Sequence, residues 1–572
     1  MQFSFWLRPF LALALGFLLP RVTAWAQPAV PAWEWVSPVR AQPDLLLQKV
    51  ALDGAGNAYV IGHFNGRAEF GPAVLTSRGR YDLVVAKYDA RGRCLWARQA
   101  GPPAADPDPF GPWVYADGVA VDRSGNVYVV GRASGRTSFD GVEVAGDSNA
   151  KMFLAKYSPQ GAIAWARGYD FGWPGDVVAG SDGAVYATHS SPVPVSAGRI
   201  TGSLWSKFDA QGNVLWSRGA WEAAAPGSSG RAVAGVFAQL AVGPNREVYF
   251  AGSYQGRVAL DTPGAARTPL PDAVSGVFLA RYTAAGTLDW VRTGNAPGAG
   301  PTSTGLVGLA VHGLAVDGAG NAYLAGNASA GGAVFGNVSL PPRGGTDVYL
   351  LKYDARGQLL WGHQEGSAGD DGVGDVATDG AGNAYLLAGF FKGQARFGRF
   401  ALTGGSQYQN MALVKYDPAG EAVWALTQDG GEVAPDDVAV SPGGDAYVVG
   451  DFYAPFRLGA HAVPYASAGG LKREGLVAKL QAPDSPASEA AAAMIPNIIT
   501  PNRDGVNDRF ETPGLALGAW SCAVYTRWGK QVYYAAAYQQ DWQAEGLSEG
   551  LYYYRLATAE GRTIKGWVEV RR

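Results

Sequence analysis

Charge is scarce in this chain. Asp, Glu, Lys and Arg together make 17% of it, the net charge is −3, and no basic block occurs. That argues against nucleic acid as the main partner, because such partners are held by clustered cations. Cysteine is rarer still: Cys94 and Cys522 are the two copies. One pair so far apart is no disulfide framework and reads as two isolated thiols. The five histidines, His63, His189, His312, His363 and His461, are scattered without metal-ligand spacing. Neither a G-x-S-x-G elbow around a plausible nucleophile nor a phosphate loop is present. Long apolar runs are absent too. The run Phe10–Leu19 is about half the roughly 20 residues a spanning helix needs. It follows Arg8 and precedes the small-x-small site Ala24-Trp25-Ala26. Residues 1–26 therefore read as an export signal, with the mature chain starting at Gln27 and no membrane span after its removal.

What the chain has in plenty is glycine (80 copies), Trp, Tyr and Val. This composition favours short strands and tight turns. They are arranged as a repeat. DGAGNAY stands at Asp53–Tyr59, Asp317–Tyr323 and Asp379–Tyr385, and DRSGNVY at Asp122–Tyr128. Worn copies end at Tyr186, Tyr249 and Tyr447, and the seven tyrosines recur 58 to 74 residues apart. A second motif follows each copy: KYDARGRCLW ends at Trp96, with relatives ending at Trp165, Trp216, Trp290, Trp361 and Trp424. A period this long means a stacked or circular array.

Each unit reads as four antiparallel strands, which is a propeller blade. The seventh unit stops at Val477-Ala-Lys-Leu480 without its Trp strand, while Ala32-Trp-Glu-Trp-Val36 is an orphan fourth strand at the other end. Strand 32–37 should therefore complete the last blade and close a seven-bladed ring over residues 27–482, leaving no open sheet edge. The pattern apolar-D-x-x-G-N-x-Y followed by A-K-Y-D-x-x-G-x-x-x-W resembles the bacterial beta-propeller repeat family labelled SBBP. That family is defined by architecture and implies no reaction.

Strand alternation puts the short DGAGN and DARG turns on one face and the variable connections on the other, which is how a binding face is built. The variable face carries Asp106, Asp108, Phe110, Trp113, Tyr115, Trp173, Trp221 and Glu222. Aromatics among carboxylates suit sugar rings; loops packing on each other are the plainer explanation. Asp176, Asp375 and Asp437 each precede an inner apolar run and should stand near the channel mouth. They could hold a hard cation, or hydrogen-bond to backbone and water. The adjacent pairs Asp370-Asp371 and Asp436-Asp437 could serve acid–base chemistry if they met in one cleft.

Composition changes at the linker 483–494, and residues 495–572 alternate as short strands, economically an Ig-like β-sandwich. Counted from Thr500, Asn502, Asp504, Asp508 and Glu511 fall at EF-hand positions 3, 5, 9 and 12, with Gly505 at 6, a spacing for Ca2+; an Asx-stabilised turn is the alternative. Ile495–Asp508, Tyr525–Lys530, Asp541-Trp542, Glu549–Tyr554 and Lys565-Gly566 resemble, in order, the gliding motility-associated C-terminal domain family. Thr526, Arg503 and Gln543-Ala544 depart from its pattern. The resemblance implies a sorting signal of type IX secretion, with Pro501, Asn502, Asp504, Gly505, Asn507, Asp508, Arg527, Trp528, Gly529, Lys565 and Gly566 as its motif residues and the secretion machinery as partner.

The expectation is an all-β, exported or surface protein: a non-enzymatic binding or adhesion scaffold for a surface glycan or protein, delivered by its tail. The alternatives are a polysaccharide lyase or glycosidase on the variable face, and a passive structural component of the surface.

Overall fold

A computed structural model describes residues 31–571, apart from 106–107, 109, 145–150, 181, 191–201, 223–232, 263, 297–307, 392, 407, 467–471, 483–497, 503–506, 513–517, 519 and 559–562. The export signal and linker lie outside the described residues. Among those described, strands dominate, none is helical, and no helix is long and apolar enough to cross a membrane.

The turns explain why the strands form where they do. Asp53 takes the Gly56 N–H on its carbonyl and donates its own N–H to Asn57, with Gly56 at φ 77°. This is a type I turn closed by a left-handed glycine, which joins antiparallel strands. The Asp53 carboxylate locks it, accepting from the N–H groups of Ala55 and Asn57, the Asn57 amide and the Tyr59 hydroxyl. The same four bonds recur at Asp122, Asp317 and Asp379.

Seven four-stranded blades result. Blade two is Val114–Val121, Val127–Ala133, Lys151–Tyr157 and Ile163–Tyr169, in that spatial order. The second strands, such as Ala384–Phe391, are almost wholly buried because blades cover both faces. The innermost strands succeed one another round the axis, blade seven returning to blade one.

Closure comes from one strand serving two blades. Ala32–Leu52 runs unbroken: Ala32–Val39 pairs with Glu474–Gln481 as the fourth strand of blade seven. Arg40–Leu52 pairs with Ala58–Phe70 as the first strand of blade one. Trp33 stands opposite Leu480 and Trp35 opposite Lys479, both tryptophans buried.

The repeated aromatics fasten blade to blade. Four of the fourth-strand indoles donate to a turn carbonyl of the next blade: Trp96 to Pro159, Trp165 to Ala210, Trp290 to Ala355 and Trp361 to Pro418. Trp35 donates to Ala90 in the same way, so the N-terminal strand makes the bond that the motif tryptophans make. The motif lysines lie over the motif tyrosines, Lys87 4.7 Å from the Tyr59 ring and Lys415 5.0 Å from Tyr385. Blade four replaces the Lys–Asp pair with Arg281 and Glu247, joined at 2.6 Å. The variable connections also hold short hairpins. Thr137–Phe139, Val258–Leu260 and Ala333–Phe335 pair with the fourth strand of the preceding blade, strapping neighbours on the variable side.

In the tail the described strands form one five-stranded sheet: Ile498–Ile499, Thr563–Val570, Gly550–Ala557, Ser521–Thr526 and Gln531–Ala535. The layer over its buried face is built from Phe510, Trp520, Tyr538 and Trp542, which lie outside these strands.

Candidate functional site

All seven inner strands slip register at the same height: at Leu47/Lys49, Ala116/Gly118, Pro174/Val177, Ala234/Ala238, Val311/Gly313, Val373/Asp375 and Pro435/Asp437. A bulge re-aims the side chain beside it, and here the bulges form a belt in the channel. Asp176, Asp375 and Asp437 lie on this belt. Asp437 meets the Lys49 ammonium at 2.7 Å and accepts from the Val50 N–H at 2.8 Å. Asp176 accepts from its own neighbour Val177 and from Leu240 of the next blade. Burial, and then the neighbouring Asp437, push Asp375 well above the usual carboxylate range against the pull of Lys49. Burial alone would push the Lys49 ammonium down; Asp437, Asp375 and Asp176 outweigh it and hold Lys49 above its ordinary value. The belt therefore carries its own cation. These acids fasten adjacent blades across the channel.

A second cluster stands above the belt on the variable face. Trp113 stacks on Tyr115 (ring centroids 4.5 Å apart, 28°). The Arg132 guanidinium lies 5.5 Å from the Tyr115 ring and 5.1 Å from the Trp173 ring, a clamp of two aromatic faces drawn from two blades. Trp173 is 49% exposed. His63 packs edge-on against Tyr115 at 4.4 Å and Tyr81 at 5.4 Å, and its Nδ1 is 3.1 Å from Gln48. The Tyr81 hydroxyl donates to Asp44. Asp117 lies 3.4 Å from Arg132, yet the Arg132 Nε and the second Asp117 oxygen are buried without a hydrogen-bond partner. Burial raises the Asp117 carboxyl to about 7, against the pull of Arg132. Burial, then Arg132 and Arg473, lower His63 to about 3, so its ring is neutral.

Trp113, Tyr115 and Trp173 thus come together. Trp221 stands elsewhere: its indole donates to Asp261 at 2.6 Å with Arg267 over the ring, at the seam of blades three and four. Phe110 is 82% exposed with its N–H on Asp108; Asp106 lies outside the described residues. The acid pairs do not meet in a cleft. Asp371 accepts from the N–H and hydroxyl of Ser367, and Asp370 from the Thr346 N–H. Asp436, raised to about 8 by burial and by Asp437, sits at the blade seven side of the belt. A cavity of about 310 Å³ opens at the opposite mouth of the channel, among the uniform turns. Its acids Asp122 and Asp317 are already bonded within their own turns, so it offers little chemistry.

Sequence reading placed Asp117 on an inner strand beside Gly118 but missed the parts played by His63, Arg132 and Tyr81. The signal lay in the residue four places after each motif tyrosine: His63, Arg132, Ser190, Ser253, Asn327, Gly389 and Asp451. Ser253, Asn327 and Asp451 spend this position accepting from the next blade's inner strand. In blades one and two the position holds a ring and a guanidinium that face aromatic side chains.

In the tail, Arg527-Trp528-Gly529 forms the turn of a hairpin, closed by the bond from the Thr526 N–H to Lys530, with Trp528 82% exposed. Gly566 lies beneath the Tyr554 ring, where an added Cβ would come within 2.3 Å of the hydroxyl. Pro501, Asn502, Asn507 and Asp508 border a turn in which Thr500 donates to Asn507; Asp504 and Gly505 lie outside the described residues. The strand Ile498–Ile499, not a helix, precedes the suggested calcium loop. Among the described residues, no three His, Cys, Asp or Glu side chains are grouped to hold a metal ion.

Residues 493–570 match the CHU_C Type IX secretion signal domain. The chain carries a type IX secretion signal. Export to the outer cell surface or the medium follows from that signal, and the secretion machinery is its partner. Residues 95–140 match the SBBP Beta-propeller repeat. A search of curated proteins finds no match. Similar solved structures include the Dos1 propeller, at 8% identity, TM-score 0.39, covering 78% of this chain and 96% of that one. A luciferin-regenerating enzyme is 12% identical, TM-score 0.31, covering 64% and 91%. A PL25 ulvan lyase, a polysaccharide lyase, is 12% identical, TM-score 0.39, covering 72% and 93%.

Proposed function

We propose that the exported propeller is a binding scaffold whose variable face holds an anionic carbohydrate. One observation carries this reading: Tyr115 and Trp173, from different blades, converge on the Arg132 guanidinium at the variable face. Aromatic faces suit the apolar faces of sugar rings, and an arginine pre-oriented by stacking suits a carboxylate or sulfate edge. Glycan-array binding by the full mature chain tests it. Binding to acidic glycans should fall at least about tenfold in Trp173→Ala and Arg132→Ala. Absence of glycan binding, or binding indifferent to both changes, would leave the protein a passive surface component.

A second reading is supported by Asp117 and His63. A carboxyl raised to about 7 lies in the same cluster as a neutral imidazole, and an acid so displaced toward neutrality is suited to proton transfer. Turnover of an acidic polysaccharide that is lost in Asp117→Asn, with binding kept, would favour the enzyme over the scaffold.

A further inference from the structure

The tail presents an apolar face on a domain whose task is to be recognised. Of the fourteen large hydrophobic side chains exposed among the described residues, five stand in residues 495–572: Trp528, Tyr534, Leu551, Tyr553 and Trp567. Chance would not gather a third of them into so short a stretch. The sheet register gathers them further. Tyr553 pairs with Tyr525 on one side and Trp567 on the other, so three rings cross three adjacent strands in one row. Leu551 lies two residues along the same strand, on the same face, and Tyr534 stands opposite Ala523, also on that face. The opposite face holds Cys522, Val524, Tyr552, Tyr554, Leu556 and Val568 and is buried. Trp528 sits in the hairpin turn next to this row.

We propose that this open aromatic row is the surface by which a protein of the type IX secretion machinery grips the tail. Three observations commit the face to that occupant. The domain match makes binding to that machinery the tail's function. The exposed row has the character of an interface centre, where aromatic residues are enriched and charge is depleted. Its rim is positive: Arg527 covers Trp528 at 4.8 Å and Arg555 is exposed on the same face, while Glu569 is paired with Arg571 at 2.9 Å. The partner's contact surface is accordingly apolar with an acidic border.

The test is made on the full chain in secreting cells, comparing periplasmic with surface and released protein. Tyr553→Ser/Trp567→Ser should cut delivery at least about tenfold and leave folded protein in the periplasm. These side chains are exposed, so thermal unfolding of the purified variant should stay within a few degrees of the parent. Should the double variant not fold, Trp567→Arg alone, which keeps a large side chain, must show the same loss. Tyr408→Ser and Leu360→Ser, exposed on the propeller, must leave delivery unchanged. Normal delivery of the double variant overturns the proposal, as does equal loss from the propeller variants. A dimer that the double variant dissolves, with export intact, would assign the face to a second copy instead. Deletion of residues 495–572 separates this question from sorting itself, since it should block delivery whichever surface of the tail is read.

Discussion

The Tyr447 hydroxyl donates to the Gly56 carbonyl at 2.8 Å, across 391 positions of chain. Three other motif tyrosines make the same bond to the next blade: Tyr249 to Gly320, Tyr323 to Gly382 and Tyr385 to Gly444. The bond that closes the ring is therefore the ordinary bond between blades. Tyr447→Phe should lower stability by about 1 kcal/mol, as should Tyr249→Phe. Equal changes in urea midpoint would show a ring without a weak joint; a much larger loss at Tyr447 would mark the closure as special.

Trp35 supports the same joint from its other side. It packs against Tyr88 and Tyr447 and lies on Gly92, whose φ is 80° and whose added Cβ would fall 2.5 Å from the indole. Gly92→Ala meets both a left-handed backbone and a ring that cannot yield, and should cost about 2 kcal/mol or more. Gly54→Ala, with nothing within 4 Å, should change stability little. Chemical denaturation of the two variants decides between packing and mere loss of turn flexibility.

Two buried carboxyls contribute stability that should fall as pH rises from 4 toward 8, opposite in sign to neutral His63. The folded chain holds a proton on Asp117 up to about pH 7 and on Asp436 up to about pH 8. An unfolded Asp releases its proton near 4. The contribution of these protons is complete below about pH 4 and is lost as pH climbs through the folded values. Asp117→Asn should therefore flatten the stability curve between pH 5 and 7, and Asp436→Asn should act up to about pH 8. A slope unchanged in both variants, by urea unfolding at fixed salt, would place these carboxyls in better-solvated surroundings.

Two tryptophans of the variable face should part company. Trp173→Ala should weaken glycan binding and leave stability nearly unchanged, because half its surface is already exposed. Trp221→Ala should leave binding alone and lower stability by about 1–3 kcal/mol, because its indole is bonded to Asp261 at the blade seam. Binding and unfolding curves on both proteins check the pair; a binding loss in Trp221→Ala would enlarge the site to the next seam.

Much of this architecture was legible in the chain because its causes are local. Asp53, Gly56 and Asn57 make their turn among themselves, so seven copies announce seven hairpins. The orphan Trp33 and Trp35 were legible by subtraction, since a strand was missing at one end and spare at the other. That one continuous strand serves both blades was not legible, because nothing in residues 38–49 resembles the repeat. The tail's sorting role was readable from motif order.

The site was less legible. Arg132, Trp173 and Tyr115 are ordinary residues in sequence, drawn from different strands, and they become a clamp only where two blades meet. Asp375 and Asp437 were open in sequence to a cation or to backbone partners; only the ring sets Lys49 of the first blade beside Asp437 of the last. Short-range hydrogen bonding let the sequence determine turns, blades and their number. Which side chains face one another across a seam was decided by tertiary structure, because that depends on how the closed ring brings distant strands to the same height.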